Sequence, residues 1–343
     1  MRKGQRNHPA RPHSGARHGL RSPGGVERTM RTRRTYAHRL TRAGRPVLLA
    51  LATVLLVNQT AAPAQAQAKA KQPAKPKFED LTLTTKDGVI LRCTYYPGPP
   101  SKQTVPLILL HRWDGRGGQL HELALFLQKA NHAVLVPDLR GHGRSVNIRG
   151  SNQPIDRAEM KPAAIASMVW DVEAAKNFLL KENNEQKVNI EQLGVLGVEF
   201  GALLAVNWAA QDWSARNLPT FKQGQDVKGL ILISPLRSFK GIESAGALKN
   251  PGLQRGVSVL MAVGSQDTGL YSDARRIFKA LEPFHDPAQQ SLVFLEYDTS
   301  LQGMGLVEGS GFKVPEAIRY FIEQRLVKHG ANFPWTDRTS PLK

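Results

Sequence analysis

The sequence predicts an α/β fold: a mostly parallel, twisted sheet with helices on both faces, led by an antiparallel hairpin. Three observations carry this expectation. Residues 78–98, FEDLTLTTKDGVILRCTYYPG, read as two strands joined at Asp87-Gly88, a dipeptide that favours a tight hairpin turn. Short apolar runs then alternate with amphipathic stretches, the order required by parallel strands with crossover helices. Finally, residues 192–205, QLGVLGVEFGALLA, pass from strand to helix between two closely spaced glycines.

The elements follow in order. VPLILLHR (105–112) is a continuous apolar run of the kind a doubly covered strand shows. In QLHELALFLQKAN, Leu120, Leu123, Leu125, Phe126 and Leu127 gather largely on one side of a helix, and HAVLVPDLR is the next strand. One helix is expected over 162–182, where Ile165, Met168, Val169, Val172, Ala175 and Leu179 form an amphipathic stripe. The 192–205 strand and helix come next, then the strands VKGLILISPL and GVSVLMAVGSQD, with a helix over 272–283. SLVFLEYDT and a final helix over 315–326 complete the set. About twenty residues separate Leu236 from Gly256, too few for a large cap domain, and no internal repeat is seen.

The ends of the chain read differently. Residues 1–46 hold 13 Lys/Arg against one acid, Glu27, and so account for +12 of the formal +19. Residues 47–68 carry no charge; they open with the apolar run VLLALATVLLV and close on Ala64-Gln65-Ala66-Gln67-Ala68. A basic segment, a short apolar run and an A-x-A ending make a secretory signal peptide, and the run falls short of the roughly 20 residues a bilayer span needs. Residues 1–68 are therefore a basic arm and signal peptide, with Met30 an alternative start. Residues 69–80 form a Lys- and Pro-containing linker, 81–329 the folded domain and 330–343 a tail. The arm contains Thr32-Arg33-Arg34-Thr35-Tyr36, part of a twin-arginine pattern, but the general secretory route fits the remainder better. The expected location is periplasmic or extracellular, with no transmembrane segment in the mature chain. Because the basicity is concentrated in the arm, it argues against a nucleic-acid partner.

Cys93 is the only cysteine, so an intramolecular disulfide is excluded. A body of this length buries enough surface without one. No histidine and acid spacing suits a metal, and no Walker-type loop appears, so no cofactor is expected.

Four segments in order carry a family resemblance: LLHRWDGRGG after an early strand, PDLRGHGRS at 137–145, GVEFG at 197–201 and VGSQD near a late strand end. Together they make residues 80–328 resemble the α/β-hydrolase family, in which G-x-S-x-G is a nucleophile elbow. The resemblance implies a nucleophile at 199, an acid at Asp267 and a base in the loop after the last strand. It also implies oxyanion-hole amides at Phe200 and Trp113. Fold alone does not carry activity, so each position is weighed separately.

Several positions depart from the pattern. Gly197 and Gly201 keep the elbow, but the residue between them is Glu199. A carboxylate can act as a nucleophile. Glutamate is one methylene longer than the aspartate some relatives use, an extra reach of about 1.5 Å, and a misplacement of about 1 Å can cost roughly a hundredfold in rate. The segment 296–313 contains no histidine; Gln302 stands before Gly303 where a His-Gly pair is implied. Glutamine cannot take up a proton near neutral pH. Asp267 would orient a base, or simply end its strand by bonding nearby amides. His111-Arg112 replaces the family's His-Gly, so Arg112 either reaches Glu199 as an ion pair or points to solvent with Asp114 and Arg116. Among relocated bases, His285 falls toward the opposite end of the sheet, His121 lies in the first helix and His132 opens the next strand. His111 is nearest the expected site, but the resemblance implies structural roles for it and for His142.

The leading expectation is therefore an exported pseudohydrolase with a degenerate triad at Glu199, Asp267 and Gln302, acting as a ligand-binding or interaction module. Its partner, small molecule or protein, is not specified by the sequence. The alternatives are a hydrolase of ester-type bonds using a carboxylate nucleophile or a relocated serine (Ser234 or Ser300), and a structural envelope protein.

Overall fold

The structure, a computed structural model, describes residues 78–216, 218 and 221–339. The expected arm, the expected signal segment with Met30 and its cleavage sites, and most of the expected linker lie outside the described residues.

A hairpin of β1 (Glu79–Thr84) and β2 (Val89–Tyr96) opens the fold. Gly88, at φ 84°, makes the turn that Asp87-Gly88 predicts. After it come β3 (Pro106–Leu110), α1 (His121–Lys129), β4 (Ala133–Pro137) and the two-residue β5 (Asn147–Ile148). Next are α2 (Pro162–Ala166), α3 (Val169–Asn184), β6 (Leu193–Val198), α4 (Phe200–Ser214) and β7 (Val227–Ile233). A small hairpin of β8 (Ser238–Phe239) and β9 (Ile242–Glu243) precedes α5 (Pro251–Gly256). The chain continues through β10 (Ser258–Gly264), α6 (Thr268–Leu281), β11 (Leu292–Tyr297), α7 (Gly303–Glu308) and α8 (Val314–Ile322).

The main sheet runs β1-β2-β4-β3-β6-β7-β10-β11, with β5 beside β2. β2 is antiparallel to both β1 and β4, and every pair from β4 to β11 is parallel. Alternation along each buried strand divides the core between two faces. Ile108 and Leu110 pack with Met168, Val172, Leu203 and Trp208 on one side. Leu107 and Leu109 pack with Leu123, Leu127, Ile318 and Leu326 on the other. Cys93 is buried in β2. This is the expected fold class, and its consequence for a site is direct: β3, β6, β7 and β10 all end along one edge.

Two helix expectations need correction. The helix expected over 162–182 is two helices, because Trp170 and Asp171 bond back three residues, to Ser167 and Met168. Ser167 Oγ takes part in the break by donating to the Ala164 carbonyl and accepting from Arg140. The helix expected over 272–283 begins earlier, at Thr268, where Asp267 caps it. Residues 330–339, within the expected tail, pack against the domain. The buried Arg338 guanidinium donates to Asp226 at 2.6 Å and to Glu191 at 3.0 Å, and Trp335 Nε1 donates to the Asn183 carbonyl. Likewise β1 starts inside the expected linker.

Candidate functional site

Strand β6 ends at Val198, and Glu199 turns the chain into α4 with φ 51° and ψ −108°. A non-glycine residue in such a region costs on the order of 1–3 kcal/mol and persists only where its surroundings enforce it. They do so here. A side chain at 197 would run into the backbone of Gly201 and Ala202, and one at 201 into the carbonyls of Leu110 and His111. The Glu199 N–H donates to the Ile233 carbonyl at 2.9 Å, tying the turn to the end of β7. Phe200, the first residue of α4, has no intrahelical acceptor for its own N–H.

The Glu199 side chain is 23% exposed, and Arg112 Nη1 stands 3.8 Å from Oε1. That is an ion pair without a hydrogen bond, and the Arg112 side chain is 44% exposed. Burial raises the Glu199 pKa above its ordinary value; Arg112 opposes the rise and Asp114 adds to it. Asp114 itself pairs with Arg157 at 3.5 Å. On the far side, Oε1 lies against Gly303, where any side chain would overlap it; Gly303 has φ 55°. Positions 112, 199 and 303, distant in sequence, thus meet at one point.

Gln302 faces elsewhere. Its Nε2 donates to the Gly264 carbonyl at 2.8 Å, and its Oε1 accepts from the Gly264 N–H at 3.3 Å. Ser234 Oγ donates to the same Oε1 at 2.7 Å and accepts from the Gly303 N–H at 2.9 Å. Ser234 is fully buried, so its hydroxyl is locked between an amide oxygen and a backbone donor. Ser300 is exposed. Asp267 Oδ1 accepts from the N–H groups of Gly269 and Leu270, both at 3.1 Å, which makes it the N-cap of α6.

The histidines near the elbow also have fixed partners. His111 Nδ1–H donates to the Arg112 carbonyl at 2.7 Å, and its Nε2 accepts from the Leu139 N–H at 3.0 Å. Those partners define a neutral tautomer with no lone pair to spare, and burial pushes its pKa down to about 4. His142 lies between the carbonyls of Arg140 and Trp113. His121 is bonded to the Tyr96 hydroxyl, while His132 is buried with its pKa pushed down to about 4. Beside the elbow, Trp113 meets Phe200 edge-on at 5.1 Å and Phe239 at 5.1 Å, an aromatic cluster with Lys240 over Trp113. Among the described residues no group of His, Cys, Asp or Glu is arranged to hold a metal ion. None of five surface cavities of 400–600 Å³ has Glu199, Arg112 or Gln302 in its wall.

The sequence located the strand-to-helix turn at Glu199 and the loop position of Gln302. It did not reveal the Gln302–Gly264–Ser234 clamp, whose parts come from three strand ends.

With this geometry in place, the relatives are informative. Residues 101–263 match a family model described as serine aminopeptidase, S33, a stretch that includes the early strand, the RGHGRS turn and the elbow. An uncharacterized Escherichia coli K12 protein, YnbC, is 27% identical over 160 residues, 46% of this chain. The match spans only 23% of that relative's length. An esterase from Pyrococcus furiosus superposes with a TM-score of 0.54 at 15% identity, covering 73% of this chain and 91% of the esterase. An α/β hydrolase from Penicillium gives 0.51 at 14%, covering 73% and 99%. The described residues have the α/β-hydrolase fold, and residues 101–263 match a family model of that fold.

Proposed function

We propose that this protein is exported and does not hydrolyse through its elbow, acting as a ligand-binding or interaction module. The observation that supports this most is the Gln302 amide, both ends of which are taken by Gly264 and Ser234. An ester formed on Glu199 would need an activated water for its release, and the position that supplies the base in the family is here a bonded amide. Asp267 is engaged as a helix cap, and His111 has both ring nitrogens bonded. Export is proposed from the basic arm, apolar run and Ala-Gln-Ala sites of residues 1–68. The test is a panel of short-chain and aryl esters and aminoacyl arylamides with the purified protein. No saturable turnover is expected; turnover at rates typical of esterases overturns the proposal.

A second reading has one observation in its favour. Glu199 retains the strained elbow conformation and a partly exposed carboxylate, so a carboxylate-nucleophile hydrolase is the activity to look for if turnover is found.

A further inference from the structure

The parallel strands have a second end, and a cavity of about 520 Å³ opens there, in the range of small-molecule sites. Lys228 at the start of β7, Arg255 at the end of α5, Arg325 beyond α8, and His285 and His329 line it, with Asp286 the one carboxylate in its wall. Lys228 is only 8% exposed. Its ammonium donates to the Gln225 carbonyl and sits 4.7 Å from the Trp213 ring and 5.5 Å from the Phe333 ring.

The other buried cations among the described residues are treated differently. Arg140 has Asp87 and Asp171; Lys176 has Asp212 and Asp226; Arg338 has Glu191 and Asp226. Among the described residues no carboxylate comes within ion-pair distance of Lys228, Arg255 or Arg325. Arg325 instead donates to Ser258 Oγ at 3.1 Å and the Gln289 carbonyl at 2.7 Å. Asp286 is occupied in capping Ala288. His285 Nδ1 is bonded to Ser291 Oγ, while its Nε2 is buried with no partner. Lys228 is the buried one of the three, and a buried charge balanced only at longer range, by Glu191, Asp212 and Asp226, is costly. Here three cations and an unbonded imidazole nitrogen share one hollow with aromatic walls.

We propose that this cavity binds a small phosphate ester, its phosphoryl oxygens taken by Lys228, Arg325, Arg255 and His285, and its organic part packed against Trp213 and Phe333. Donors converging from several elements suit a dianion with three oxygens. The volume exceeds what a bare phosphate fills. The site lies opposite the elbow, so it goes beyond the proposal made for Glu199 and does not depend on it.

The test is calorimetric titration of the full chain with phenyl phosphate and with inorganic phosphate. Saturable binding of both is expected, with phenyl phosphate at least about tenfold tighter. Lys228→Met and Arg325→Gln should each weaken it about tenfold or more. Arg144→Gln, in a different arginine-lined hollow where Asp80 and Asp138 balance the charge, should leave it unchanged. If Lys228→Met fails to fold, the exposed Arg255→Gln and Arg325→Gln carry the same expectation. No saturable binding of phenyl phosphate, or binding indifferent to the folded variants, overturns the proposal. So does an equal loss in Arg144→Gln.

Discussion

The side-chain amide of Gln302 is laid against the main chain of Gly264, donating to its carbonyl at 2.8 Å and accepting from its N–H at 3.3 Å. The contact fastens the loop after β11 to the end of β10, and through Ser234 to the end of β7. An imidazole offers one donor and one acceptor on divergent ring edges, so it cannot copy this planar pairing with a single peptide unit. Gln302→Ala is expected to lower stability by about 1–3 kcal/mol, since Ser234 and Gly264 lose partners in a partly buried setting. Urea unfolding measures it. A change below about 0.5 kcal/mol would show the clamp to be incidental.

The Arg112–Glu199 pair should behave as a surface interaction. At 3.8 Å, with one partner 44% exposed, its coupling is expected to lie under about 1 kcal/mol. A double-mutant cycle with Arg112→Ala and Glu199→Gln reads the coupling. A value of several kcal/mol would mean that the pair closes the site more tightly than its geometry allows.

The elbow stores backbone strain at Glu199 and none of its glycines can be spared. Glu199→Gly should stabilise the protein, by about 1 kcal/mol, because glycine occupies φ 51° without a Cβ penalty. Gly201→Ala should instead destabilise it by several times that amount, on the scale of about 3 kcal/mol, since its Cβ meets the Leu110 carbonyl. Thermal melts of the two variants that moved in the same direction would contradict this account of the turn.

Acid should weaken the fold through its buried histidines. His111 and His132 have pKa values pushed down to about 4 by burial, against 6.5 in an unfolded chain. Between those values the unfolded state binds protons that the folded state refuses, so stability falls as pH drops through that window. The full loss, on the order of 3 kcal/mol per histidine, is reached at or below pH ~4. His132→Leu should flatten the decline between pH 6.5 and 4. An unaltered pH dependence in that variant would remove His132 as a contributor.

Much of the architecture was legible because local signals repeat it. Asp87-Gly88 makes a turn, apolar runs such as VPLILLHR make doubly covered strands, and paired glycines permit close strand–helix approach. What escaped the sequence depends on distant partners. Arg338 looks like one cation in a polar end until the fold brings Asp226 and Glu191 to it. The break at Ser167 comes partly from Arg140, and periodicity ignores it because the apolar stripe runs through. Lys228, Arg255, His285 and Arg325 carry no shared motif, and only the sheet's lower edge collects them. At the turn the sequence singled out positions 199 and 302, but not where their side chains are engaged.

On the proposed reading, the elbow presents Glu199 without a base to complete a hydrolytic cycle. The most direct measurement compares the full chain with Glu199→Gln on an activated aryl ester, following both turnover and covalent adducts at residue 199 by mass spectrometry. No elbow-dependent turnover is expected, with indistinguishable rates for the two proteins and no accumulating adduct. Sustained turnover that disappears in Glu199→Gln would contradict this reading and make Glu199 a working nucleophile.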